Sequence, residues 1–73
     1  MSPRLPSLSA RQVLHILEQH GFRQVRQSSS QVILEHSDGR HTTVPSHKGR
    51  DIGRGLLRQI MREANLTLSD LSQ

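Results

Sequence analysis

The sequence QVILEHSDGRHTTVP, residues 31–45, is the most informative segment of this chain because it predicts a β-hairpin. Residues 32–36 are rich in aliphatic and β-branched side chains, which favour a strand. Ser37–Arg40 contains Asp38-Gly39, a pair that supplies the positive φ angles of a two-residue type I′ turn. His41–Pro45 is then the returning strand, and it ends at a proline, which cannot donate a hydrogen bond to the sheet.

The predicted turn also fixes the register of the hairpin. Pairing residue 37 with residue 40 places His36 opposite His41, Leu34 opposite Thr43, and Ile33 opposite Val44. Because side chains alternate between the two faces of a strand, one face holds Val32 and Leu34, and the other holds Gln31, Ile33, Glu35, Thr42 and Val44. We predict that the Val32 and Leu34 face is the core, since the opposite face carries charged Glu35.

The segments on either side of the hairpin predict helices and one more strand. Ser9 and Gln12 have the spacing of a capping box, so the first helix should cover about residues 9–20 and stop at Gly21. Residues 23–28 form a short strand, and a second helix covers about 53–64, with Asn65 as a left-handed cap. A final helical turn is expected at 67–71. The element order is α-β-β-β-α.

This order predicts a two-layer α+β domain, with an antiparallel three-stranded sheet and two helices on one of its faces. The double-stranded-RNA-binding domain has the same order. We interpret residues 1–8, which carry two prolines and two serines, as a flexible lead-in. Residues 9–73 are then a single domain, as the total length of 73 residues requires.

Composition points to a polyanionic partner. The net charge is +4, and arginine supplies nine of the ten basic residues, Lys48 being the exception. Arginine binds phosphate in a bidentate manner that lysine cannot reproduce, so we expect nucleic acid as partner. The only aromatic residue is Phe22, which favours recognition of backbone and shape over stacking on bases.

Composition also limits the other classes of function. The chain has no cysteine, so a disulfide or a thiolate–zinc site is excluded. No apolar run is long enough to span a membrane, and residues 1–6 lack the apolar core of a signal peptide. We therefore expect a cytoplasmic protein with no membrane association.

Several short motifs, in this order along the chain, resemble one known family. They are Gly21-Phe22 after the first helix, Arg26-Gln27, Val44-Pro45-Ser46-His47 at the end of a strand, and Gly55-Leu56-Leu57-Arg58-Gln59-Ile60 opening the last helix. Taken together, across about residues 4–71, they resemble the HicA (YcfA-like) family of toxins from bacterial toxin–antitoxin pairs.

The resemblance implies a double-stranded-RNA-binding-domain-like fold and cleavage of mRNA that slows growth. It implies no metal or other cofactor, and a HicB-like antitoxin that binds the toxin and masks its active site. In the family, one histidine supplies the proton chemistry and lies in a Gly-Ser-His triplet just before the second strand. The corresponding residues here are Ser29-Ser30-Gln31, so Ser30 matches and the catalytic position is Gln31.

Glutamine at this position changes the expected chemistry. Imidazole titrates near pH 6.5 and exchanges a proton at neutral pH, whereas an amide cannot. The amide can still donate a hydrogen bond to a phosphate oxygen. Losing a general acid or base lowers a rate by about 10²–10⁴-fold. The chain is then a weakened or inactive copy, or carries a deliberate inactivating substitution, or uses another residue for this step.

Further residues are candidates for catalysis or RNA binding. His47, which aligns with a recurring histidine of the family, is a possible assistant in catalysis or else a residue that orders its loop. Lys48 and Arg50, beside Gly49, and Arg26 are candidate phosphate ligands. Arg54 and Arg58, with Arg62, recur every four residues and either follow an RNA backbone or form a solvated helix face.

Four alternatives remain at this stage. The first is a non-catalytic module that binds RNA or only the antitoxin. The second is a basic DNA-binding module, which is disfavoured because the sheet separates the two helices that a helix-turn-helix would need side by side. His36 and His41 would hold a metal only with a third ligand, and none is evident. The serines at 28–30 are better explained as a polar turn than as nucleophiles.

Overall fold

The structure, a computed structural model, describes residues 7–46 and 51–71. Its elements are α1 (Ala10–Gln19), β1 (Phe22–Gln27), β2 (Gln31–His36), β3 (His41–Pro45), α2 (Arg54–Ala64) and α3 (Leu68–Leu71). The three strands form one antiparallel sheet in the order β1-β2-β3. The predicted α-β-β-β-α order and α+β class are confirmed, and the expected last helical turn is α3.

Helix α1 begins at the capping box that the sequence predicts. The Gln12 backbone N–H donates to Ser9 Oγ at 3.2 Å, and the Ser9 N–H donates to Gln12 Oε1 at 2.9 Å. These two bonds satisfy donors that the first turn of a helix leaves free. The helix ends at Gln19, and Gly21, which follows the cap residue His20, has a φ of +92°. A Cβ at Gly21 would lie 2.9 Å from His36 Nε2, so a larger residue would strain the backbone and displace the His36 ring.

The C-terminal helices also end and begin on local signals. Asn65 closes α2 in the left-handed conformation, with a φ of 56°. Thr67 then caps α3, because its N–H donates to Asp70 Oδ2 at 2.7 Å and its hydroxyl donates to the same oxygen at 3.0 Å. The Thr67 backbone hydrogen bond, followed by that of its hydroxyl, lowers the pKa of Asp70 below its usual value of 3.8.

The register of the β2–β3 hairpin differs from the prediction by one residue. His41 lies opposite Glu35, Thr42 opposite Leu34, and Val44 opposite Val32. The turn is a three-residue loop, residues 37–39: the His36 N–H donates to the Arg40 carbonyl, and the Gly39 N–H donates to the His36 carbonyl. Gly39 has a φ of +100° and Asp38 does not have a positive φ, which is the geometry of a longer loop with a bulge and not that of type I′.

This register corrects the predicted face of β3. Thr42 and Val44 point into the core with Val32 and Leu34, whereas Thr43 and Pro45 share the other face with Gln31 and Ile33. The prediction of Val32 and Leu34 as core residues was right, and the placement of Thr42 and Val44 on the opposite face was wrong. A shift of one residue moves every side chain of a strand to the other face.

The core lies between the sheet and the helices. Its buried apolar residues come from every element: Leu8, Ala10, Val13, Ile16, Leu17, Phe22, Val32, Leu34, Val44, Ile52, Leu57, Ile60, Ala64 and Leu71. Leu8 and Ile52 lie outside the helices and strands, and the Ile52 N–H joins them by donating to the Leu8 carbonyl at 2.7 Å. Among residues 7–46 and 51–71, the core lies on one side of the sheet, and the other side is left open for a site.

Candidate functional site

The face of the sheet turned away from the core, which we call the open face, carries polar side chains in cross-strand rows. One row contains Gln31 and Pro45, and the next contains Arg26, Ile33 and Thr43. Because diagonal neighbours on one face of a sheet lie about 7–8 Å apart, Arg26 lies within reach of Gln31. The structure thus brings together two of the residues that the sequence analysis selected.

Strand β1 reaches this arrangement through a β-bulge. The pairing shifts between Gln24 and Arg26, so Val25 has no partner on β2, and its side chain is 52% exposed. Without the extra residue, Arg26 would fall on the core face, since side chains alternate along a strand. The bulge therefore places the Arg26 guanidinium on the open face.

The loop that carries Ser30 is held by backbone hydrogen bonds. The Ser28 N–H donates to the Gln31 carbonyl at 2.8 Å, and the Ser46 N–H donates to the Ser30 carbonyl at 2.9 Å. The Gln31 N–H in turn donates to Ser28 Oγ at 3.2 Å. Gln31 therefore has a fixed backbone at the start of β2, while its exposed side chain projects from the open face.

Helix α2 closes one side of this region and forms what we call the Gln31 pocket. The pocket has a volume of about 240 Å³ and is lined, among the described residues, by Gln31, Thr43, Pro45, Leu56, Gln59 and Glu63. Leu56, Gln59 and Glu63 lie three and four residues apart, so they share one side of the helix. Leu56 and Gln59 belong to a motif that carries the family resemblance, but none of these three residues is predicted as a site residue from the sequence.

A carboxylate is fixed at the wall of this pocket. The Thr42 hydroxyl donates to Glu63 Oε1 at 2.9 Å, and Gln59 Nε2 lies 3.5 Å from Glu63 Oε2. Thr42 is 1% exposed, so its hydroxyl needs an internal partner and Glu63 supplies it. The only sequence signal for the pocket is Leu56, an apolar residue off the buried stripe of α2 and 37% exposed.

The arginines of α2 lie on a different side of the helix. Arg54 and Arg58 are each two residues from Leu56, which is slightly more than half a turn. Both side chains are exposed, and neither lines the Gln31 pocket. The structure therefore places Arg54 and Arg58 on the flank of α2 that faces away from Gln31, together with Arg62.

Three selected residues, His47, Lys48 and Arg50, lie outside the described residues. The described chain does show where their loop starts and ends. Ser46 pairs with Ser30 beside the Gln31 pocket, and Asp51 forms a bridge with Ser9 at the start of α1.

The predicted cross-strand histidine pair does not exist in this register. His41 lies opposite Glu35 on the open face, whereas His36 lies on the core face, with its ring 5.2 Å from that of Phe22. Within residues 7–46 and 51–71, no three His, Asp or Glu side chains are grouped as metal ligands. None of the helices in that part of the chain is long and apolar enough to cross a membrane.

Comparison with known proteins adds a family to this geometry. A family model described as the HicA toxin of bacterial toxin–antitoxin systems matches residues 10–66, from the start of α1 to just beyond α2. This range contains the whole sheet and the Gln31 pocket. Comparison with curated proteins gives no match.

Proposed function

Because this chain belongs to the HicA toxin family of bacterial toxin–antitoxin systems, we propose that it binds mRNA on the open face of its sheet, around Gln31. Its family partner is an antitoxin, and we propose that a HicB-like antitoxin covers this face. Family resemblance also supports metal-independent endoribonuclease chemistry in the cytoplasm, at the position that Gln31 occupies.

The observation that carries the proposal is the position of Gln31. It lies at the start of β2, on an open face, with Arg26 diagonal to it and a pocket beside it. The guanidinium suits a phosphate, and the Gln31 amide can donate to a second phosphate oxygen. Ser30 precedes Gln31 in a loop whose backbone is held on both sides.

From the residues at this position we expect that the chain cleaves RNA slowly or not at all. Neither the Gln31 amide nor the hydroxyls of Ser28 and Ser30 can exchange a proton efficiently at neutral pH. Glu63 is the ionisable side chain among the described residues that line the pocket, and Thr42 already donates to it. We assign to Lys48 and Arg50 a supporting role in phosphate binding, and to His47 assistance in catalysis.

The test compares RNA cleavage by this chain and by its Gln31→His variant, at neutral pH in EDTA. We expect the variant to cleave about 10²–10⁴ times faster, the usual contribution of a general acid or base. The matched control is Gln24→His, which adds the same imidazole to the core side of the neighbouring strand, opposite Leu34. It should leave the rate unchanged.

The other outcomes separate the alternatives. Equal cleavage by both proteins would place the catalytic group elsewhere, and His47→Ala would then be the next variant. If neither protein cleaves, the enzymatic proposal is overturned. Because Gln31 lacks the proton chemistry of imidazole, the second candidate function is a non-catalytic module that binds RNA or the antitoxin alone. Direct binding of labelled RNA would distinguish these two.

A further inference from the structure

We propose that the Gln31 pocket binds one unpaired nucleobase of an RNA strand, and that Glu63 makes guanine the preferred base. This proposal rests on the RNA-binding function proposed above and names the part of the RNA that the pocket contacts. It goes beyond recognition of backbone and shape, which the presence of a single aromatic residue, the buried Phe22, favours. A base can enter this pocket without an aromatic platform.

The size and walls of the pocket suit one flat heterocycle. Its volume of about 240 Å³ is below the range of about 300–1,000 Å³ that is usual for drug-sized ligands. Pro45 and Leu56 supply apolar surface, while Gln31, Gln59 and Thr43 supply hydrogen-bonding groups. Apolar walls with a few polar groups are the typical lining of a specific small-molecule site.

The charge in the pocket determines which part of a nucleotide it accepts. Glu63 is an acceptor when ionised, and it repels a phosphate group. Its oxygens are oriented by Thr42 at 2.9 Å and by Gln59 at 3.5 Å. A carboxylate has about four acceptor positions, so two of them remain for a ligand. The pocket therefore suits the N–H groups of a base and excludes the phosphate.

Guanine is the base whose edge matches a carboxylate best. Its Watson–Crick edge presents a ring N–H next to an amino group, so both carboxylate oxygens can accept a hydrogen bond. Adenine and cytosine present an amino group next to a ring nitrogen acceptor, which a carboxylate repels, and uracil presents one N–H between two carbonyls. Proteins read unpaired RNA bases by such edge contacts.

Arg26 completes the site by giving the nucleotide an orientation. It lies on the open face in the row next to Gln31, whereas the pocket lies on the α2 side of Gln31. A base in the pocket thus places its phosphate towards β1 and the Arg26 guanidinium, which forms charge-assisted hydrogen bonds to phosphate. Glu63 and Arg26 therefore act on opposite ends of one nucleotide.

The experiment measures binding of four fluorescently labelled uridine hexamers that differ in one central base, G, A, C or U, by anisotropy. We expect the chain to bind the G-containing hexamer about tenfold more tightly than the others, within the range usual for one bidentate base contact. Glu63→Gln, which keeps an acceptor for the Thr42 hydroxyl, should abolish this preference without abolishing binding.

Two further variants exclude trivial causes. Glu18→Gln removes the same charge from an exposed position of α1, on the core side of the sheet, and it should retain the preference for G. Leu56→Ala removes an apolar wall from an exposed helix position, where alanine is well tolerated, and it should weaken binding of the G-containing hexamer to the level of the others. Circular dichroism confirms that each variant is folded.

The outcomes separate the pocket from the function on which it rests. If the chain binds all four hexamers equally, or if Glu63→Gln keeps the preference for G, the pocket proposal is overturned and RNA binding stands. If the chain binds no hexamer and no longer RNA, the RNA-binding function fails and the pocket proposal fails with it.

Discussion

Strand β2 has Gln31 at one end and His36 at the other, and the surroundings of these two ends differ. Around His36, side chains from the hairpin and β1 and one backbone carbonyl of α2 form what we call the hairpin clasp, which consists of Phe22, His36, Asp38, Arg40 and the Ala64 carbonyl. Arg40 Nε donates to Asp38 Oδ2 at 2.8 Å, and a second Arg40 nitrogen donates to the Ala64 carbonyl. The Arg40 guanidinium also lies 5.2 Å from the Phe22 ring centre.

At the Gln31 end, hydrogen bonds hold the backbone and leave the Gln31 side chain available. Ser28 and Ser46 fix the backbone of the loop. The side-chain amide of Gln31 forms no hydrogen bond with any other described residue. The difference favours a role in stability for the hairpin clasp and supports the binding role that we propose for the Gln31 end. Side chains whose donors and acceptors already bond one another, as in the hairpin clasp, have few hydrogen-bonding groups left for a ligand.

The largest expected effect tests the hairpin clasp. Phe22 is 2% exposed, and replacing a buried phenylalanine by alanine costs about 3–5 kcal/mol. A domain of this size has a free energy of unfolding on the order of 5–10 kcal/mol, so Phe22→Ala should remove about a third of it or more. The measurement is the urea concentration at the midpoint of unfolding, monitored by circular dichroism.

Val25→Ala is the matched control for this prediction. Val25 lies on the same strand, at the bulge, and is 52% exposed, so its replacement should change the free energy of unfolding by about 0.5 kcal/mol or less. Equal losses in the two variants would show that the ring of Phe22 does not anchor the clasp end of the sheet.

A smaller effect is expected from Arg40→Met, which keeps much of the aliphatic side chain and removes the charge. It loses the bonds to Asp38 and to the Ala64 carbonyl, so we expect a loss of about 1–3 kcal/mol, as for other hydrogen bonds of charged groups. Arg58→Met, on the exposed flank of α2, should change stability by about 0.5 kcal/mol or less. If the two variants unfold at the same urea concentration, Arg40 does not hold the hairpin to α2.

The elements that the sequence predicted well depend on neighbouring residues. The capping box of Ser9 and Gln12, the stop at Gly21 and the left-handed Asn65 involve groups within about one helical turn, so their residue types are sufficient to identify them. The strand over residues 32–36 was predicted correctly for the same reason, because its aliphatic and β-branched residues favour a strand locally; the structure extends β2 by one residue to Gln31.

The register and the pocket were not predictable because they depend on distant contacts. Asp38-Gly39 is compatible with a two-residue and a three-residue turn. The longer one is stabilised by the Asp38 side chain, which accepts from the Arg40 N–H at 3.0 Å, and by the contact of Arg40 with α2. The Gln31 pocket needs Gln59 and Glu63 of α2 to meet the sheet, and no spacing along the chain indicates that they do.

The smallest effect on stability is expected at Gln31, even though the same variant should have the largest effect on cleavage. The Gln31 side chain is exposed, and its position is fixed through backbone bonds to Ser28 that Gln31→His retains. We expect a change of about 0.5 kcal/mol or less in the free energy of unfolding, measured by the same urea titration. A loss of unfolding free energy as large as that of Arg40→Met would contradict the difference between the two ends of β2, since it would mean that Gln31 supports the fold. An unchanged free energy of unfolding, together with faster cleavage, would show that Gln31→His does not destabilise the sheet. The identity of residue 31 would then affect the chemistry and not the fold.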